Sequence, residues 1–222
     1  MPRDRDGAGQ LERIARQLAE ADARLLRLAA SCTDRAWTSR PPSGGWSPSE
    51  CVQHLVLSVD ALLPRVDAAM RDGRDGQVVG AGPFTAGLLG RVLLWAIEPP
   101  YRIRTRTGEA FEPAAARTPS DDVAALLARH AAAREQLVAA QDMALDRLTI
   151  VSPFAARVRY NLYVALALVP THARRHLAGS PARRCASPTP DAVPLPTEHT
   201  AATSCCARRR ATRAADAAHC GR

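Results

Sequence analysis

"SPSECVQHLVLSVDALLPRV", residues 47–66, decides how this chain folds. Ser47 is a helix-capping residue, Pro48 follows at the first helical position, and Glu50 stands three residues after the cap. That is a capping box, with proline where its missing N–H costs nothing. Val52, Leu55, Val56, Val59, Leu62, Leu63 and Val66 then recur at the spacing of a helix buried along one side. The pattern predicts a helix from Ser47 to about Arg71, with Trp46 placed to staple against Cys51.

Working outward, Leu11, Ile14, Leu18, Leu25 and Leu28 predict an earlier helix from about Gln10 to Ser31, and "RPPSGG" (40–45) breaks the chain after it. Residues 73–117 read as loop around one short apolar helix, "AGLLGRVLLWAI" (86–97). A connection this long suits a crossover between helices that run in the same direction. "TPSDD" (118–122) repeats the start signal, with Thr118 as cap and Pro119 first, and opens a third long helix to about Asp146. A fourth is expected from about Pro153 to Leu177, with Pro170 kinking it and Gly179 and Pro181 ending it. The expected fold is all-α: a four-helix bundle over residues 1–178 with a long crossover between helices two and three. Residues 179–222 carry Pro, Ala, Thr, Arg and Cys without apolar periodicity and are expected to be a disordered tail.

Charge weighs against one function class. All 30 basic residues are arginine, and the net charge of +8 divides into +4 for residues 1–177 and +4 for the shorter tail. No helix carries a dense basic stripe with interleaved aromatics, so a nucleic-acid surface is not expected on the bundle. The six cysteines contain no C-x-x-C pair and no small-domain disulfide framework. The N-terminus lacks an apolar signal region, and "LYVALALV" (162–169) is far short of a membrane span. A reduced, soluble, cytoplasmic protein without membrane partners is the expectation.

Six histidines remain to be placed. His199 and His219 lie in the tail, and His130, alone on the third helix, reads as an exposed or satisfied residue. His172 and His176, in "THARRHL" (171–177), are four apart and share a helix face with Asn161, Ala165 and Leu168. Two imidazoles on a core-facing stripe need partners, and a shared metal ion supplies one. H-x-x-x-H alone is short and also occurs without metal. His54 sits about 140° from the centre of its helix's apolar stripe, near Cys51 and Ser58. By itself it reads as a polar-face residue, or as one facing a cleft lined by small side chains.

Taken together, these motifs resemble a known family. A tryptophan and serine after a Pro/Gly loop, a helix carrying "HL", a long crossover containing "PPYRIRT…FEP", and a last helix ending "HARRHL" are similar to the DinB-like superfamily over about residues 10–178. These are helical-bundle metal-dependent proteins related to bacillithiol transferases and mycothiol-dependent enzymes. The resemblance implies an up-up-down-down bundle in which His54, His172 and His176 hold one divalent metal: zinc first, with nickel, iron or manganese as alternatives. It further implies a small-molecule substrate, a low-molecular-weight thiol as cofactor, and thiol transfer, thiol-dependent isomerisation or hydrolysis as the chemistry. Bundles of this type commonly form homodimers. Glu50, one turn before His54, is explained by its capping role, so the acid–base residue stays unassigned. The alternatives are a non-catalytic bundle that binds a ligand or partner, and nucleic-acid regulation through the arginine-bearing tail.

Overall fold

The computed structural model describes residues 6–42, 44–100, 107–113 and 117–177. The expected disordered tail, 179–222, lies outside the described residues. Four long helices make the bundle: α1 (Gly7–Ser31), α3 (Pro48–Asp75), α5 (Pro119–Ala139) and α6 (Leu162–Leu177). Two short ones, α2 (Asp34–Thr38) and α4 (Gly87–Ile97), a 3-10 turn (Glu109–Phe111) and a hairpin of β1 (Thr149–Val151) with β2 (Arg159–Asn161) accompany it among the described residues.

Local signals set the starts. Ser47 accepts from the Glu50 N–H while the Glu50 carboxylate accepts from the Ser47 N–H, the full capping box. Thr118 caps α5 through the Asp121 N–H, and Asp6 caps α1 through the Gly9 N–H. The α6 start differs from expectation. Residues 149–161, largely assigned to the fourth helix, instead form the hairpin, with buried Ile150 opposite buried Tyr160. β-Branched Thr149, Ile150 and Val151 favour a strand. Asn161 then accepts from the Val164 N–H and caps α6 from within the hairpin. The third long helix likewise stops at Ala139 rather than near Asp146, and the chain turns through Asp142 at φ 68°. The helix α6 runs on through Pro170, and α3 through Pro64.

Bonds between helices fix their directions. Arg13 donates to the Tyr163 hydroxyl and Arg24 to the Leu177 carbonyl, so α1 and α6 are parallel. Ser49 meets Asp122, Arg129 meets Asp60 and Gln136 meets the Leu63 carbonyl, so α3 and α5 are parallel as well. The start of α1 bonds to Ala81 and Phe84, just beyond the end of α3, so those two are antiparallel. The order is therefore up-down-down-up, which corrects the up-up-down-down arrangement. Two parallel middle helices cannot be joined by a tight turn, and the crossover carrying α4 makes the return.

The crossover is pinned at both ends. Gln10 donates to the Phe84 carbonyl and accepts from the Phe84 N–H, while Arg174 makes two bonds to Glu98. Gly90 lets α4 approach α6 closely: a Cβ there would sit 2.4 Å from Val164 Cγ2. At the other end of the bundle, buried Asp122 accepts from the Trp37 indole N–H at 2.9 Å and the Ser49 hydroxyl at 2.6 Å. It thereby ties α2 and α3 to α5, around a core of Leu25, Val52, Leu55, Leu126 and Leu177. Cys51 is buried, and Cys32 is disulfide-bonded, a departure from the fully reduced chain expected. No helix among the described residues is long and apolar enough to cross a membrane.

Candidate metal centre

The capping box sets where α3 begins, and so places His54 two turns inside it. Antiparallel packing brings the last turns of α6, with His172 and His176, against the same level of α3. The three rings form a near-equilateral triangle, with centroids 5.0, 4.8 and 4.8 Å apart. One nitrogen from each lies within 4.8 Å of the others, a group able to hold a metal ion.

His54 is buried, not on a solvated face. A helical wheel with a single buried stripe misplaces it because α3 packs against α5, α6 and the crossover together. Its strip of Cys51, His54 and Ser58 faces a cavity of about 1170 Å³ that also takes in His172, His176 and Arg175. The His54 Nδ1–H donates to the Phe111 carbonyl at 2.9 Å, so the neutral ring keeps its Nε2 lone pair for the group. That Nε2 lies 3.3 Å from Nε2 of His172. A tetrahedral zinc with Zn–N bonds of about 2.0–2.1 Å spaces its nitrogens by about 3.3–3.4 Å. The donor chemistry and this spacing both fit a divalent ion.

Electrostatics keep the ligands neutral. Burial pushes the His172 pKa down to about 3, helped by the nearby His54 and Arg175 charges. His176 is held well below the usual histidine range by burial, then by His172, His54 and Arg175. Burial also lowers His54, partly countered by the Phe111 carbonyl. Neutral imidazole is the form that binds metal.

Several neighbours escaped sequence reasoning. Trp46, expected to staple against Cys51, places its ring 4.8 Å from His54 and 6.1 Å from His176. Phe154 from the hairpin loop packs on Phe111 and His172. No short-range signal links these residues to the histidines. His130 is buried, lines the cavity and bonds to Asp22, so it is satisfied at one nitrogen rather than exposed. Among the described residues lining the cavity, Glu112 has the only carboxylate, and it is exposed.

Fold and site together define a class: an α-helical bundle with three histidines from two antiparallel helices converging at one cavity. A family model described as the DinB superfamily matches residues 17–178. The chain belongs to that superfamily. Neither curated proteins nor solved structures gave a significant match.

Proposed function

We propose that the chain is a metal-dependent enzyme in which His54, His172 and His176 hold one divalent ion, zinc in the first place. The observation that carries this is the convergence of three neutral imidazoles, with two Nε2 atoms 3.3 Å apart. Three protein ligands leave zinc an open position, where the ion supplies Lewis acidity and lowers the pKa of a bound water or thiol. Trp46 and Phe154 set aromatic surface against the histidines, and Phe111 packs on Phe154. Arg175 lines the cavity beside the histidines and offers positive charge to an anionic ligand such as a thiolate. Transfer of a low-molecular-weight thiol to a small electrophile is the reaction that this combination suits best, with thiol-dependent isomerisation or hydrolysis as relatives of it.

The exposure of Glu112 favours a second reading, a non-catalytic bundle that binds a small ligand, because among the described residues no buried carboxylate lines the cavity as a proton acceptor. Elemental analysis tests the metal assignment. About one zinc per chain is expected for the native protein and a loss of most of it for His172→Ala. Unchanged stoichiometry in the variant defeats the assignment. Exchange of thiol at the metal then separates enzyme from binder, since a saturated ion leaves no room for chemistry.

A further inference from the structure

Of the large apolar side chains left exposed among the described residues, Phe154 is the one that lines the cavity, at 44 % exposure. It sits in the loop between β1 and β2, and hydrogen bonds hold that loop in shape. The Ser152 N–H donates to the Val158 carbonyl at 2.8 Å, and the Val158 N–H to the Ala155 carbonyl at 2.9 Å. The Phe154 N–H donates to the Ser152 hydroxyl at 3.2 Å. The Phe154 ring is thereby set against Phe111, centroids 5.0 Å apart, and against His172, centroids 6.3 Å apart. Phe111 also reaches His54, through its carbonyl at 2.9 Å.

A lone exposed apolar residue on an open surface needs no explanation. Here the ring is fixed in a cavity, against a second ring and one of the histidines. Phe111 is itself only half-buried, as is Val158, and Ala155 is exposed, so a ligand in the cavity can touch this side of it. None of these four side chains can form a hydrogen bond. A polar ligand group laid on them would shed water without replacement, whereas a hydrocarbon group gains by leaving water. Aromatic rings pack on one another at centroid distances of about 4.5–7 Å, so an aryl group suits the two phenylalanines best.

We propose that Phe111 and Phe154 form a platform that seats a hydrocarbon group of the ligand, an aryl ring above all, while its reacting end lies at His54, His172 and His176. The substrate class is then a small electrophile whose aryl group stands a short link away from the reacting atom, because Phe154 and His172 are so close. Phe154 is the specificity-determining residue. This deepens the function proposed above and rests on it for the reacting end; the platform itself does not need the metal.

The probes are benzohydroxamate and acetohydroxamate, which share a metal-binding head and differ by phenyl against methyl. Each is titrated calorimetrically into the full-length, zinc-loaded protein. Benzohydroxamate is expected to bind about tenfold tighter. Phe154→Ala should cut that ratio to about threefold or less, and Phe154→Leu should keep most of it. Acetohydroxamate affinity and zinc content should hold in both variants, which a merely disturbed histidine group would not allow. In the native protein, with and without zinc, NOEs should join the phenyl protons of benzohydroxamate to the Phe154 ring, and these decide should Phe154→Ala fail to fold. Equal affinities for the two probes, absence of the NOEs, or a ratio that survives Phe154→Ala would each overturn the proposal. Native protein that takes up no zinc yet shows the NOEs defeats the metal assignment alone, and zinc uptake with equal affinities defeats this proposal alone.

Discussion

His54 and His172 face each other with their Nε2 atoms 3.3 Å apart, and the Nδ1–H of His54 is already committed to the Phe111 carbonyl. Two lone pairs cannot sit at that distance unless a proton or a cation lies between them. Without metal, His172 must donate its Nε2–H to His54. With metal, it carries its proton on Nδ1 and both Nε2 atoms become ligands. Zinc should therefore bind the folded chain far better than the unfolded one. At a free zinc concentration of about 100 times Kd the gain is about 2.7 kcal/mol, which raises Tm by about 5–10 °C. Thermal melts with zinc and with chelator check this, and His172→Ala should erase the difference. Identical melts for the native protein would rule out a folded-state zinc site.

Asp122 is expected to matter for stability alone. Its Oδ2 accepts from both Trp37 and Ser49, so Asp122→Ala strands an indole N–H and a hydroxyl inside the core. The loss should be about 3 kcal/mol, or about 6–12 °C in Tm. Asp122→Asn, which keeps an acceptor oxygen, should lose distinctly less. Urea unfolding of the two variants ranks them. A harmless alanine would show that the latch carries little.

Ser47→Ala tests the element from which the fold was read. The cap satisfies the Glu50 N–H, and Glu50 in turn satisfies the Ser47 N–H and pairs with Arg40. Removing the hydroxyl should cost about 1 kcal/mol. Zinc affinity should hold, because packing of α3 against α5 and α6 fixes the height of His54 once the chain is folded. A large fall in zinc affinity with normal stability would mean that the cap positions the site directly.

Why some of the molecule was legible in the sequence and some was not follows from the range of each signal. The Ser47 and Thr118 caps, the "RPPSGG" break and the long crossover are encoded within a few residues, and each appears where expected. The hairpin was hidden because Asn161 fits a helix stripe as readily as the cap it proves to be. The triad of histidines was reached through a family resemblance, since His54 and His172 are 118 positions apart and meet only through antiparallel packing. Asp22 and His130, 108 positions apart, had no such aid, and His130 therefore read as an isolated residue. Its partner belongs to a helix that no pattern in α5 foretells.

Asp22 also gives the fold a pH dependence of definite sign. Burial raises its pKa, but the hydrogen bonds from His130 and Arg134, with their charges, more than offset that, and the net shift is downward from 3.8. Between the depressed folded value and the ordinary unfolded one, the unfolded chain binds the extra proton, so stability rises with pH across that window. The contribution is complete above 3.8 and is lost as pH falls through the folded value. Arg134 is one-third exposed, so its share is screened, and the buried His130 bond dominates. Asp22→Asn should then cost about 2 kcal/mol near neutrality. The gap between native protein and variant should narrow under strong acid, as Asp22 takes up its proton. Urea midpoints for both proteins across that range measure it. A gap that persists undiminished at the acid limit of folding would show that Asp22 is not the ionised partner of His130.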